Sequence, residues 1–313
     1  MASPITPKRI GLEPVLLGVM VLWGFNFVAL KLLLKGQVVT PGTAALGRWF
    51  LMAAFLLVYC RWKGISLKMP RADAWRVHLQ GFLSMGVYMV LFTLGMNYAA
   101  PAEGAIILGC SPVFTLLLAV MLGQERFRLV ILIGTLIAFF GVGLVVLTSP
   151  DSKVGSDELK GDLLLFASAF VWALGTVISR PLVARMDPIA LTTLAMPSGL
   201  LALLPFGGVG LVNTDWQRVS AVEWSMLLYF ALFAGALGFM GFYTGVRKVG
   251  AAGAMLYQYF VAPLAAISSL IFLGKGLVPL QLVGLLVVIG GVWVANQARL
   301  HHLVGSAEPS SES

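Results

Sequence analysis

Stretches of mostly apolar residues, each about 20 residues long, recur from one end of the chain to the other. At about 1.5 Å per residue, a helix of this length crosses the hydrocarbon core of a bilayer. The residues are 59% hydrophobic and 11% charged, whereas an ordinary soluble domain is roughly 25% charged. We therefore expect an all-α integral membrane protein without a separate soluble domain.

The apolar stretches predict ten transmembrane helices. The longest polar connection, SPDSKVGSDELKGD at 149–162, lies at the midpoint and predicts a linker between two halves. We expect a first five-helix unit in 1–148, a linker in 149–160, a second unit in 161–298 and a disordered cytoplasmic tail in 299–313. The predicted spans are 14–34, 41–61, 74–97, 101–122, 128–147, 161–180, 188–209, 222–246, 250–273 and 279–298.

The distribution of basic residues predicts the orientation. If the N-terminus is cytoplasmic, 14 Lys and Arg residues fall on the inner side and 6 on the outer side. An even number of spans places the C-terminus on the cytoplasmic side as well. The net charge of +8 is concentrated between the apolar runs, which is typical of membrane flanks and does not indicate a nucleic-acid partner.

Sequence features recur at a nearly constant offset, which indicates an internal repeat. Trp23 precedes Lys31 by eight positions, and Trp172 precedes Arg180 by the same eight, 149 residues later. Two further features recur at offsets of 150 and 151: the pair GTLIAFFGV (134–142) and GLLVVIGGV (284–292), and the prolines Pro112 and Pro263. Because each half contains five spans, an odd number, the second half is expected to be inverted in the membrane, a pattern typical of transporters.

The segments WGFNFVALK, GRWFLMAAFLLV, NYAAPAEGAIILGCSPVFTLLLAVMLGQE and RKVGAAGAMLYQYFVAPLAAISSLIFLGKG resemble the paired EamA domains of the drug/metabolite transporter superfamily. The resemblance covers about residues 14–298, and within the superfamily the chain is similar to the YddG-type exporters of aromatic amino acids. Two departures stand out. The second half ends its fourth span with Leu273-Gly274-Lys275-Gly276, without a counterpart of Glu125, and the seventh span lacks a counterpart of Arg48.

This resemblance implies a secondary transporter of the bacterial cytoplasmic (inner) membrane. The expected function is export of small metabolites, particularly aromatic and neutral amino acids, by alternating access through a central cavity. The alternative is export of hydrophobic drugs or other small metabolites. The partners are then a small-molecule substrate and the lipid bilayer, with no cofactor, and the oligomeric state stays open.

Pro112 and Pro263 lie near the middle of the fourth and ninth predicted spans. Proline lacks an N–H and clashes with the residue four positions earlier, so the carbonyls of Leu108 and Tyr259 are expected to lose their helical donors. Leu108 and Tyr259 are therefore candidates for the cavity wall, and the prolines are candidate hinges. The alternative is a packing kink of the kind common in membrane helices.

Two polar residues occupy apolar spans, where they are costly unless they face the bundle interior. Arg48 is a candidate ligand for a substrate carboxylate, or a structural support for a helix end. Asn26 is a candidate substrate contact or a hydrogen-bonding tie between helices.

Aromatic residues are expected to complete the cavity lining. Tyr88 and Phe92 lie four positions apart, as do Phe239 and Tyr243, so each pair shares one helix face. For each aromatic residue taken alone, core packing is the alternative. The other candidates are Trp23, Trp49, Trp172 and Tyr257.

The sequence lacks residues that several other classes of membrane protein require. No phosphate-binding loop for ATP occurs, and no His, Asp or Glu lies near the middle of a predicted span, which argues against an intramembrane enzyme and a metal site. Glu103 and Asp162 come nearest to the membrane interior. We therefore expect transport without obligatory proton coupling. A channel and a scaffold protein are the remaining alternatives.

Overall fold

The computed structural model describes residues 13–123, 129–148 and 157–305. Within these ranges all regular structure is helical. The α-helices are α1 (Pro14–Leu33), α2 (Pro41–Lys63), α3 (Ala74–Gly81), α4 (Tyr88–Tyr98), α5 (Pro101–Leu108), α6 (Ser111–Met121), α7 (Leu129–Leu147), α8 (Asp157–Val183), α9 (Pro188–Asn213), α10 (Ala221–Leu228), α11 (Gly238–Tyr257), α12 (Val261–Leu273) and α13 (Pro279–Gly305).

The apolar runs of the sequence fall on these helices. Among the described residues, seven helical segments are long and apolar enough to cross a membrane. Three shorter apolar segments, Leu132–Val145, Gln258–Leu273 and Pro279–Gly291, occupy the remaining predicted spans. The described part of the chain is therefore all-helical, and its apolar helices are those of a multi-pass membrane protein.

Some boundaries differ from the sequence-based prediction. Helix α13 continues to Gly305, so residues 299–305 are helical where a disordered tail was expected. The physical reason is that no Gly or Pro, the residues least favourable to a helix, occurs between 293 and 304. Helix α8 begins at Asp157, inside the expected linker, with Asp157 and Glu158 in its first turn, where carboxylates are favourable. The expected linker residues 149–156, the end of the tail (306–313) and Glu125 lie outside the described residues.

The boundary between the eighth and ninth predicted spans also differs. Helix α11 runs through the expected loop at 247–249. The chain nevertheless changes direction between Gly245 and Tyr257, as three contacts with α1 show: Gly245 lies against Leu16, Tyr257 reaches Glu13, and farther on Leu264 lies against Gly24. The interruption of the ninth span comes later, as a short 3₁₀ segment at Gln258–Phe260.

Four interruptions of regular α-helix occur inside the bundle. The third and eighth predicted spans each contain a π-helical segment, at Phe82–Val87 and Tyr229–Leu237. The fourth span breaks between α5 and α6 at Gly109 and Cys110, and the ninth breaks at Gln258–Phe260. π-Helical segments are rare and are frequent at functional sites.

Helices α7 and α13 pack backbone against backbone. A Cβ on Gly141 would lie 2.7 Å from the amide nitrogen of Val288 and 2.9 Å from the carbonyl oxygen of Gly284. A Cβ on Gly291 would clash with the amide nitrogen of Ala138 and lie 2.7 Å from the carbonyl oxygen of Gly134. With the sequence offset of 150, the two sets of residues exchange roles, as in an isologous interface between two copies.

The two ends of the bundle differ in their polar contacts. At one end, called the basic end, ion pairs join Arg185 to Asp73 at 3.2 Å, Lys248 to Glu13 at 2.7 Å and Arg247 to Asp187 at 3.9 Å. This is the end predicted to be cytoplasmic.

The opposite end contains a vestibule of about 1020 Å³. Lys31, Lys35, Lys275 and Glu158 are among its lining residues. The Lys31 ammonium group donates to the carbonyl oxygens of Met96, Asn97 and Ala99 at 3.3, 3.2 and 2.9 Å. Lys31 therefore ties the end of α1 to the end of α4.

The contact between α7 and α13 can be tested with adjacent glycines of one helix. Alanine is favoured over glycine in a helix by about 1 kcal/mol, but overpacking costs about 1–3 kcal/mol. We expect Gly291→Ala to lower the thermal unfolding temperature in detergent. Gly290→Ala, where a Cβ would meet nothing within 4 Å, should leave that temperature unchanged or raise it.

The equivalent pair on α7 provides a second measurement. Gly141→Ala should lower the unfolding temperature, as we expect for Gly291→Ala. Gly143→Ala should not lower it, because a Cβ at Gly143 would meet nothing within 4 Å. Equal behaviour of all four variants would contradict the close packing described here.

Candidate functional site

A central cavity lies between helices of both halves of the chain. It contains about 540 Å³ of space free of protein atoms, of which about 50 Å³ can hold the centre of a water molecule. A single water needs about 10–15 Å³ by this measure, so in this conformation the cavity is a narrow slot with room for a few waters. Its lining consists of Trp23, Asn26, Phe27, Arg48, Tyr88, Phe92, Ala105, Leu108, Gly109, Ser111, Trp172, Phe239, Gln258 and Val261.

Aromatic rings form a continuous wall of the cavity. Trp23 and Trp172, the equivalent tryptophans of the two halves, meet edge to face with ring centroids 5.9 Å apart. Trp172 also contacts Phe239 at 5.4 Å and Tyr88 at 5.3 Å, and Tyr88 stacks on Phe92 at 5.6 Å. Edge-to-face and offset contacts of this kind stabilise aromatic clusters beyond the burial of area. The wall is therefore well ordered and mostly apolar.

Arg48 supplies the positive charge of the cavity. Its side chain is 5% exposed, and its guanidinium carbon lies 4.3 Å from the ring centroid of Phe230 and 5.7 Å from that of Phe239. It forms no ion pair or hydrogen bond with any residue in the described ranges. A buried charge without a counter-ion is costly, and cation–π contacts offset only part of that cost.

Asn26 adds an unpaired acceptor to the same cavity. It is 6% exposed, and its side-chain oxygen is buried without a hydrogen-bond partner in the part of the chain that the structure describes. Ser111 and Gln258 also line the cavity. The polar groups of the site thus include a guanidinium, two carboxamides and the hydroxyls of Ser111 and Tyr88, set among aromatic rings.

The two candidate hinge prolines lie just beyond helix breaks. Pro112 is in the first turn of α6, directly after the break at Gly109 and Cys110, and Pro263 is in the first turn of α12. Proline is well tolerated in the first turn of a helix, where its missing N–H is not needed. The carbonyl of Leu108, which Pro112 was expected to deprive of its helical donor, accepts a hydrogen bond from the Ser111 hydroxyl at 2.7 Å.

Eight of the predicted substrate-binding residues line the central cavity: Trp23, Asn26, Arg48, Tyr88, Phe92, Leu108, Trp172 and Phe239. Trp49 lines an adjoining pocket, and its indole N–H donates to the carbonyl of Met196 at 2.9 Å.

Three predicted tyrosines lie elsewhere. The hydroxyl of Tyr243 accepts a hydrogen bond from Gln80 at 2.8 Å, and that of Tyr257 accepts one from the amide of Glu13 at 2.7 Å at the basic end. Tyr259 does not line the cavity, and its buried hydroxyl has no hydrogen-bond partner within the described ranges. Successive residues of a helical turn point about 100° apart, so of the sequence Tyr257-Gln258-Tyr259 only Gln258 faces the cavity.

The sequence-based prediction missed Phe27, Ala105, Gly109, Ser111, Gln258 and Val261. The sequence does contain a signal for Ser111, its position beside Pro112, since a hydroxyl next to a helix break can replace a missing backbone donor. Gln258 is a costly residue in a predicted span and was passed over for its two tyrosine neighbours. Small and aliphatic lining residues have no comparable signal in the sequence.

The two acids nearest to the membrane interior are more buried than expected. Glu103 is 1% exposed in the first turn of α5, and Asp162 is 2% exposed near the start of α8. Neither lines the central cavity. In the described residues, no group of three or more His, Cys, Asp or Glu side chains could hold a metal ion.

Comparison with known proteins identifies the type of chain. The model of the EamA-like transporter family matches residues 13–147 and 159–297, one match in each half. The uncharacterized transporter YetK of Bacillus subtilis is 27% identical over 93% of this chain and 88% of its own. A probable terminal-alkyne amino-acid exporter of Streptantibioticus cattleyicolor is 25% identical over 90% of this chain and 91% of its own.

A probable amino-acid metabolite efflux pump of Salmonella typhimurium is 26% identical over 88% of this chain and 91% of its own. The fold is similar to that of a protein solved by crystallography, with a TM-score of 0.63, 17% identity and coverage of 94% of this chain and 99% of that one. At this identity the structural likeness concerns the fold alone.

The unpaired oxygen of Asn26 leads to a prediction about stability. If Asn26 does not tie helices together, Asn26→Leu removes an orphaned buried acceptor, whose cost is about 1–3 kcal/mol. We expect the unfolding temperature of the detergent-purified protein without substrate to rise. A lower unfolding temperature for Asn26→Leu would identify Asn26 as an interhelical tie and contradict its place as an unpaired cavity group.

Proposed function

Because this chain belongs to the EamA-like transporter family, we propose that it is a secondary transporter that exports aromatic and neutral amino acids by alternating access. Two relatives, the probable terminal-alkyne amino-acid exporter and the probable amino-acid metabolite efflux pump, support this substrate class. The central cavity is the proposed substrate site, with Arg48, Asn26 and the aromatic wall as its principal contacts.

The observation that carries the proposal is the guanidinium of Arg48. It is buried in the cavity and lacks a counter-charge among the described residues. A carboxylate is the natural partner for a guanidinium, since the two form paired, charge-assisted hydrogen bonds. The aromatic rings beside it suit a flat apolar side chain. A cation among aromatic walls therefore favours a substrate that has a carboxylate and an apolar group.

The second candidate function is export of hydrophobic drugs or other small metabolites. The aromatic wall of Trp23, Trp172, Phe239, Tyr88 and Phe92 favours any apolar ligand. The two candidates differ in their need for a carboxylate. A drug exporter would bind neutral or cationic ligands as well as acids, and Arg48 would then be a structural group.

The proposed architecture is ten spans in two inverted five-helix repeats, with both termini cytoplasmic, in the bacterial inner membrane. Two observations support the repeat: the exchanged glycine contacts of α7 and α13, and the equivalent positions of the interruptions in the third and eighth, and fourth and ninth, spans. Broken helices around a central site are typical of transporters built from inverted repeats.

Substrate entry requires the cavity to widen, because only about 50 Å³ is open to the centre of a water molecule. The breaks that precede Pro112 and Pro263 are the proposed places of movement. Backbone groups at these breaks are not committed to a continuous helical ladder, so changes in dihedral angle there cost less than in a regular helix.

The role of Arg48 can be tested in proteoliposomes. Arg48→Ala should reduce counterflow of phenylalanine about 10- to 100-fold, because a hydrogen bond to a charged group contributes about 1.5–3 kcal/mol. The amide and ester analogues of phenylalanine should lose far less. Arg218→Ala, at an exposed site, is the matched control. Equal losses for the acid and its analogues would assign Arg48 to helix support.

The hinge proposal predicts a loss of rate without a loss of protein. Pro112→Ala and Pro263→Ala restore a backbone N–H and favour a continuous helix across each break, so both should lower transport at least five-fold at equal membrane levels. Pro205→Ala removes a proline inside α9, away from the cavity, and is the control. Wild-type rates in both hinge variants would refute the proposed movement.

A further inference from the structure

A second pocket adjoins the central cavity and shares two of its residues. Arg48 and Phe239 line both spaces, so these two side chains form part of the boundary between them. The second pocket contains about 240 Å³ free of protein atoms. Its lining is Ala45, Arg48, Trp49, Met52, Met85, Met89, Met196, Leu203 and Phe239.

Methionines form the deformable part of this pocket, which we call the methionine pocket. Met52, Met85, Met89 and Met196 are 2 to 5% exposed. They come from four different segments: α2, the π-helical segment before α4, α4 itself and α9. Methionine is unbranched and flexible, and its thioether adapts to differently shaped apolar neighbours. Four such side chains around one space can repack without breaking a hydrogen bond.

The pocket has little room for water, and a hydrogen bond holds Trp49 at its rim. Only about 10 Å³ of it can hold the centre of a water molecule, which is at the lower limit for a single water. The indole N–H of Trp49 is occupied by the carbonyl of Met196 at 2.9 Å. An apolar group that enters therefore displaces thioether groups and little water, and Arg48 is the charged side chain among the described lining residues.

We propose that the methionine pocket is the subsite for the far end of the substrate side chain, beyond the aromatic wall, while the substrate carboxylate binds Arg48. This inference rests on the function proposed above and specifies its substrate class. The preferred substrates are amino acids with long or aromatic apolar side chains, such as methionine, leucine and phenylalanine. Alanine and serine need only the Arg48 side of the site. The central aromatic wall is held by ring-to-ring contacts, so variation in side-chain size is absorbed by the methionines.

The test changes the pocket volume in both directions. Met89→Phe and Met196→Phe fill the pocket from α4 and α9, and Leu203→Ala enlarges it from a third position. Met121→Phe, on a side chain that is 80% exposed, is the matched control. Counterflow of labelled alanine, phenylalanine and tryptophan is measured in proteoliposomes, with each variant first shown to be monodisperse in detergent.

For the two filled variants, the ratio of phenylalanine to alanine transport should fall at least 10-fold. For Leu203→Ala, the ratio of tryptophan to phenylalanine should rise at least three-fold, a gain that a merely damaged protein would not produce. The control should keep the wild-type ratios. Unchanged ratios in all three pocket variants would overturn the subsite and leave the methionines as core packing.

The failure of the subsite can be distinguished from the failure of the proposed function. If the wild-type protein transports phenylalanine and alanine, and Arg48→Ala abolishes both while the pocket variants keep the wild-type ratio, only the subsite is wrong. If the wild-type protein transports no amino acid, the proposed function and the subsite fall together.

Discussion

Backbone amide and carbonyl groups find no hydrogen-bond partner in hydrocarbon, and this constraint determines most of the structure. It requires helices wherever the chain faces lipid. It also makes each interruption of a helix informative, because an interruption is tolerated only against protein or water. The breaks at Gly109 and Gln258 both lie at the central cavity, and the hydroxyl of Ser111 satisfies a carbonyl at one of them. Irregular backbone and candidate site therefore coincide for one physical reason.

The site combines a buried positive charge with an aromatic, apolar surrounding, two features that seldom occur together. Phe230 and Phe239 place aromatic faces against the guanidinium of Arg48, which keeps the cation in the bundle without neutralising it. If an Asp or Glu side chain took the place of these rings, it would pair with Arg48 and leave no binding site for a substrate carboxylate. The partial compensation by aromatic rings leaves most of the electrostatic attraction for a ligand, while the surrounding rings and thioethers contribute area and little charge.

The helical class and the central residues were predictable from the sequence, because the cost of placing polar groups in hydrocarbon leaves a clear pattern. Arg48 and Asn26 stand out in apolar runs, and Trp23 stands out through its repeat partner Trp172. What could not be predicted is the direction in which each helix face points in the packed bundle. The one-turn offset that takes Tyr243 away from the cavity to Gln80 follows from how neighbouring helices dock, which spacing along one helix does not determine.

Helices α7 and α13 form one of several contacts between the two halves of the chain, and neither contributes a residue to the central cavity. Their contact is glycine against backbone, so it depends on close packing and excludes solvent. The cavity, in contrast, gains and loses water as its volume changes. The α7–α13 contact and the central cavity therefore respond differently to hydration. When the cavity takes up water, the energy of the cavity lining changes, whereas the energy of the α7–α13 contact does not.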